Sequence, residues 1–508
     1  MSKARLTATA SLILALYVIL AAWKANTTYP WANEAWFASP ALNLAQKGFM
    51  GTTILESKGT WMEGMDRHTY WILPLHILAQ TAWYKLFGFS LLTLRWLSIF
   101  WGAVILIAWY ALMLRLSGDH RIALLTAGLL AVDGQFIFVA SLGRMDAMCA
   151  GLGWAGCAAF VCLRERSLGM AIFAGNALVA ASSFTHPCGA LYFVALAAIT
   201  IYCERRGLGW REVALAATPY LAGLGAWGIY ILQSPAQFWS QFSGNASGIA
   251  GEFTEYTRWS GLTAPVYAFK REIQRYLAAY SWYEASTFWW RFRAAILVIY
   301  ALGILAAIET LPIRRHAGYR VLMLAGGIFY VLMMLFEGLK ASTYLVHTLP
   351  IAAALLAVSI VHYAYGPNRR LALAALAFMV AFQLAYGVGL NRGGWRWDYA
   401  AAIGFLKQHS TPSSQIIGGG ELAFSLGFDA NLIDDPRLGY YSGKQPDFIV
   451  ANSVYRGWIN RSQARYPAIH QHLEKLLETR YREVFHNRLY TIYQAGNPGE
   501  RSTPTPNN

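Results

Sequence analysis

The sequence predicts an α-helical polytopic membrane protein of about eleven transmembrane helices with a C-terminal soluble α/β domain. Three observations carry that reading. Of the 508 residues 56% are hydrophobic and 13% charged, where soluble proteins carry about 25% charged. Apolar runs of about twenty residues, long enough to cross the hydrocarbon as helices that satisfy their own backbone, recur up to residue 390. Beyond that point the runs stop, and short strand-like and helical patterns with glycine punctuation replace them. The net charge of +15 is spread between the apolar runs. A nucleic-acid binder gathers its Lys and Arg on one face, so no nucleic-acid partner is expected.

The runs lie near 6–23, 93–114, 121–139, 146–163, 169–185, 188–203, 213–233, 293–310, 321–338, 343–365 and 371–390. The fifth and sixth form one apolar stretch, divided at Thr185-His186-Pro187 because proline breaks a helix. Charge supports the division. With Lys3 and Arg5 inside, every second connection is basic: Arg115 and Arg121; Arg164 and Arg166; Arg205, Arg206 and Arg211; Arg314, Arg315 and Arg320; Arg369 and Arg370. That alternation obeys the positive-inside rule, and an odd span count sends the C-terminus outside. The first run has no small-residue cleavage site and is expected to be retained as a span.

Two outer connections are long, 24–92 and 234–292. Glu34 to Lys47 carries apolar residues at helical spacing, and Tyr70 to Phe87 is aromatic and poor in charge, so both read as helices lying in the membrane surface. After 390, Gln415-Ile416-Ile417 and Asp447 to Ala451 read as strands and 463–479 as helix. Glu483-Val484-Phe485 and Leu489 to Tyr493 read as a hairpin turning at His486-Asn487. The expected division is a transmembrane module at 1–390, a periplasmic α/β domain at 391–495, and a disordered tail at 496–508. Cysteines 149, 157, 162, 188 and 203 lie in or beside apolar runs without metal-ligand or disulfide spacing, as small core residues do.

Ionisable groups at membrane depth are costly and mark functional sites. Four places qualify: Asn33-Glu34; Asp66-Arg67-His68; Arg144-Met145-Asp146, with Asp133 before it; and Lys340 to His347, where Tyr344 and His347 share a face. Taken singly, a solvated acid, a surface charge and a local Arg144–Asp146 ion pair explain the first three. Together they suit a carboxylate that deprotonates an acceptor while cations and hydroxyls stabilise a departing phosphate. No nucleotide-binding loop, zinc-protease helix or nucleophile elbow competes.

At these residues the sequence resembles the GT-C superfamily of membrane glycosyltransferases, in the branch of protein O-mannosyltransferases and lipid A aminoarabinose transferases. The shared pattern is an acidic pair opening a surface helix, here Asn33-Glu34-Ala35-Trp36-Phe37, and an aromatic second surface helix from Arg67-His68-Thr69-Tyr70-Trp71 to Lys85-Leu86-Phe87-Gly88. An acid in the second outer loop, Asp146, and Lys340 with Tyr344, Leu345 and Pro350 complete it. The resemblance implies a GT-C-like fold and transfer of a sugar, with inversion, from a polyprenyl-phosphate donor to a lipid, glycan or protein acceptor. It places the chain in a bacterial inner membrane among lipids. It implies Glu34 as base, Asp146 as second acid, and Arg67, His68, Arg144, Lys340, Tyr344 and His347 around the phosphate. Asn33 replaces the usual Asp of the pair, so Asp146 is the alternative base. No cofactor is assigned, and a divalent metal stays open. The rival readings are a secondary transporter, for which internal repeats are lacking, and a non-catalytic partner of the same fold.

Overall fold

The computed structural model describes residues 2–253, 260–280, 288–310, 316–389, 395–429 and 431–496. Ser2 accepts the Arg5 N–H and starts α1, Lys3–Thr27. Most side chains of α1 face outward, and Tyr17 on its inner side reaches across to the Ile99 carbonyl at 3.1 Å. The partner helix α4, Leu91–Ser117, has Gly102 at the crossing, where an added Cβ would stand 1.8 Å from the Tyr17 hydroxyl. Only glycine permits that approach. The core here is continuous, built from α1, α4 and the helices that follow.

The expected span at 121–139 is broken. Helices α5, His120–Val132, and α6, Gly134–Ala140, meet at 69°. Asp133 causes the break by capping α6 through the Gln135 and Phe136 N–H groups. Its other oxygen accepts from Tyr280, Tyr300 and Gln383. An acid placed so deep is tolerated because five donors satisfy it. Helices α7, Asp146–Leu163, α8, Leu168–Ser183, and α9, Gly189–Glu204, follow. The division of the fifth and sixth runs at Thr185-His186-Pro187 is therefore present. Gly189 begins α9 where a Cβ would lie 2.3 Å from the Ser183 backbone.

Helices α10, Trp210–Ile231, and α11, Pro235–Phe253, precede helices at Pro265–Ala279, Phe288–Glu309, Ala317–Phe336, Leu349–Tyr363 and Arg369–Gly389. A helix stands at each of the predicted runs, but length and apolarity single out fewer. Among the described residues six helices are long and apolar enough to cross a membrane, or seven if the bent pair is one span, and three shorter apolar helices accompany them. The tenth run begins as a 3-10 turn, Ser342–His347, before its α-helix.

The first long connection folds as α2, Ala32–Lys47, and α3, Pro74–Phe87. Neither simply floats on a surface. α2 buries nine residues, because α3 and α4 pack against it on one side and the C-terminal domain covers it on another. That domain holds β1, Ile416–Gly418, β2, Leu432–Ile433, β3, Phe448–Ala451, β4, Tyr481–His486, and β5, Thr491–Ala495. The order is β2-β1-β3-β5-β4, with β1 parallel to both neighbours and the β4–β5 hairpin antiparallel. The expected helix at 463–479 is instead two, Ser453–Arg465 and Pro467–Arg480, divided at Pro467. All of the expected tail but Gly496 lies outside the described residues.

The loop after α2 enters this domain. Ile54 joins its core, and Leu55 bridges to Asp434 beside β2. Asp434 also accepts from the Trp36 indole on α2 at 2.8 Å, the Gly420 N–H and the Tyr455 hydroxyl. Burial pushes its carboxyl up to about 7, with the Glu421 charge adding to the rise. The folded state therefore holds a proton that the unfolded chain releases near its ordinary value of 3.8. Stability from this group is complete below that value and declines as pH rises towards 7. Thermal melting of the purified protein should accordingly fall by several degrees between pH 5 and pH 8. Asp434→Asn should remove most of that slope.

Candidate active site

Glu34 sits in the first turn of α2 with both oxygens engaged. Oε1 accepts from the Gly143 N–H at 2.7 Å and Arg95 Nε at 2.9 Å; Oε2 accepts from the Trp31 N–H at 2.9 Å and Arg95 Nη2 at 2.6 Å. Arg95, from α4, gives its remaining N–H groups to the carbonyls of Ala25, Thr28 and Tyr29. All five guanidinium donors are thus used. The carbonyls at the end of α1 lack helical partners, and Arg95 supplies them. Glu34 and Arg95 are 0% and 1% exposed, so this pair ties α1, α2, α4 and the loop before α7 together. It is not a solvated acid.

Asp146 begins α7, where the helix dipole favours a negative charge. Its Oδ2 accepts from Arg144 Nε at 2.8 Å, and the same guanidinium lies over the Phe37 ring of α2, 5.2 Å from its centroid. The other oxygen, Oδ1, is buried and accepts no hydrogen bond among the described residues. Around it stand groups from four elements. His186 of the α8–α9 turn lies tilted against Tyr344, ring centroids 5.2 Å apart. His347 Nδ1 and the Tyr192 hydroxyl share a hydrogen bond at 2.8 Å, and His347 Nε2 is buried without a partner among the described residues. His76 of α3 bonds Gln80 at 2.9 Å, and desolvation pushes it down to about 3 against the pull of Asp146. It is therefore a neutral ring.

The 3-10 turn explains why Tyr344 and His347 act together, since residues three apart eclipse at three per turn. Lys340 is placed differently from the expectation of a cation open to phosphate. It adopts a left-handed backbone, φ 52°, donates Nζ to the Met333 and Met334 carbonyls at 2.6 and 2.8 Å, and pairs with Glu272 at 3.2 Å. Arg275 joins the same network through Glu272 and through Glu337 at 3.0 Å. Arg67 is exposed, and His68 stacks on Tyr70 with ring centroids 6.1 Å apart. The structure thus gathers Arg144, Asp146, Tyr344 and His347, while Arg67 and His68 belong to a neighbouring aromatic surface with Tyr230.

Sequence reasoning passed over Arg95, Tyr192 and His76. A lone arginine in the run at 93–114 was itself a signal, because a charge at membrane depth needs a partner. Tyr192 and His76 carried none, being one aromatic among many and one ring in an amphipathic helix.

The fold recurs in solved structures. Over 97% of this chain and 98% of its own length, ArnT from Cupriavidus metallidurans bound to undecaprenyl phosphate superposes with a TM-score of 0.59 at 14% identity. The fold is GT-C-like. Archaeal oligosaccharyltransferase AglB from Archaeoglobus fulgidus, in complex with an inhibitory peptide and a dolichol-phosphate, shares this GT-C fold at a TM-score of 0.54 and 12% identity. The match covers 90% of this chain and 72% of that one. Arabinofuranosyltransferase AftD from Mycobacteria matches at 0.51 and 13% identity, over 98% of this chain and 40% of its own. No protein-family profile and no curated protein matches in sequence.

Proposed function

We propose that this chain transfers a sugar from a polyprenyl-phosphate donor to a lipid, glycan or protein acceptor at the outer face of a bacterial inner membrane. The observation that carries the reading is the half-used carboxylate of Asp146, anchored by Arg144 through one oxygen and bare at the other. The GT-C fold supports the donor class, since ArnT and AglB are described with polyprenyl phosphates. In this mechanism Asp146 Oδ1 takes the proton from the acceptor hydroxyl as that oxygen bonds to the anomeric carbon. The bond from that carbon to phosphate oxygen breaks on the opposite face, and the lipid phosphate leaves with the electron pair. Inversion follows. Glu34, with four hydrogen bonds accepted, is too fully engaged to serve as base and instead positions α2 and the loop before α7. That assignment takes the alternative left open by Asn33.

Arg144, Tyr344 and His347 lie where a leaving phosphate would be stabilised. Lys340 joins them by exchanging its Glu272 contact for phosphate, and Arg67 and His68 guide the headgroup from the outer surface. A charged contact of this kind contributes about 1.5–3 kcal/mol. Lys340→Gln should therefore weaken undecaprenyl phosphate binding, read by native mass spectrometry of the purified protein, by at least about tenfold. Unchanged affinity in a folded Lys340→Gln protein removes Lys340 from the site, and no binding by the parent sinks the donor assignment.

The proposed organisation is eleven spans within 1–390 and a periplasmic domain at 391–495. Alkaline phosphatase fused after Tyr399 should be active. An inactive fusion, with an active cytoplasmic reporter at the same point, overturns the odd span count.

A further inference from the structure

We propose that Cys149, His186 and His347 form a binding site for a divalent ion of the zinc class. The three come from α7, from the turn between α8 and α9, and from the 3-10 turn at 342–347. One ligating atom from each lies within 4.8 Å of the other two. A tetrahedral zinc ion with sulfur and imidazole ligands needs those atoms about 3.3–3.6 Å apart, so side-chain shifts of about 1 Å close the site.

Two further observations point to a ligand. Nδ1 of His347, which is fully buried, meets the Tyr192 hydroxyl, while Nε2 is buried with no hydrogen-bond partner among the described residues. With the proton on Nδ1 and donated to the Tyr192 oxygen, that is the arrangement of a metal-bound imidazole, whose far N–H is fixed by an outer hydrogen bond. Asp146, whose Oδ1 is also buried without a hydrogen bond among the described residues, stands one helical turn before Cys149 on α7. A buried dication needs an anion close by, and the Cys149 thiolate supplies it. The proton leaving Cys149 passes to solvent buffer as the metal binds.

The donor set selects the ion. Sulfur with imidazole suits zinc or cobalt, whereas magnesium and calcium prefer oxygen. His186 Nδ1 accepts the Cys188 N–H at 3.1 Å, so this ring ligates through Nε2. Without an ion, the same residues are a packed core in which the Cys149 thiol meets the Ser182 hydroxyl at 3.2 Å.

Cobalt titration of chelator-treated, purified full-length protein separates these outcomes without any transfer assay. The expected result is uptake of about one equivalent with a thiolate-to-cobalt charge-transfer band. Cys149→Ser should lose the band, and Cys157→Ser should keep it. Tyr192→Phe, which removes only the hydroxyl behind His347, should weaken binding about 10–100-fold. Because Tyr192→Phe and Cys157→Ser are conservative, a folding failure of Cys149→Ser leaves the question answerable. No stoichiometric uptake by the parent overturns the site, as does a band that survives in Cys149→Ser or an affinity unmoved in Tyr192→Phe.

Discussion

Asp146→Asn is expected to lower sugar transfer by about 10²–10⁴-fold, the range for losing a positioned general base. The substitution keeps the shape of the side chain and one acceptor for Arg144 Nε, so the protein should remain folded and still bind the lipid phosphate. Its comparison is Glu34→Gln. Glu34 accepts four hydrogen bonds through two oxygens, and an amide there must turn its NH₂ towards one pair of donors. The loss expected from Glu34→Gln is therefore one of stability first and turnover second, recoverable at low temperature. If Glu34→Gln is dead while folded and Asp146→Asn turns over normally, the roles are reversed.

Arg95→Ala should be the most destabilising substitution in the membrane module. Breaking a buried pair by removing one partner costs about 3–5 kcal/mol, because the other charge is left buried without compensation. Here the loss also orphans the carbonyls of Ala25, Thr28 and Tyr29. The measurement is thermal unfolding in detergent, where Arg95→Ala should melt well below the parent and Arg67→Ala, on the exposed surface, should not. A melting point for Arg95→Ala close to the parent would mean that the pair does not hold the first outer loop in place.

Much of this architecture was legible in the residues. Apolar run length located the helices, and His186-Pro187 marked a break that the structure has between α8 and α9. Asp146 was visible because an acid beside an apolar run is costly. What escaped the sequence was long-range pairing. Glu34 read as a free acid because its partner stands in α4, within a run whose apolarity hid the meaning of Arg95. Lys340 read as an open cation because Glu272 lies in a distant amphipathic helix. The 69° break at Asp133 was hidden as well, since hydropathy records what surrounds a residue and not which five donors will meet it. Cys149, His186 and His347 lack metal-ligand spacing because they come from three separate elements, and spacing rules describe ligands on one loop or helix. The C-terminal strands were readable from their own patterns. That Ile54 and Leu55 of the first outer loop complete this domain was not.

The central claim is transfer from a lipid phosphate by Asp146-assisted attack. Purified parent protein, incubated in lipid with a polyprenyl-phosphate-linked labelled sugar and a cell-envelope extract as acceptor, tests it most directly. The account predicts label moving from the polyprenyl lipid into an acceptor fraction with release of polyprenyl phosphate, and less than about one hundredth of that rate for Asp146→Asn. Equal transfer by the parent and by Asp146→Asn, or release of free lipid phosphate by neither, would contradict it.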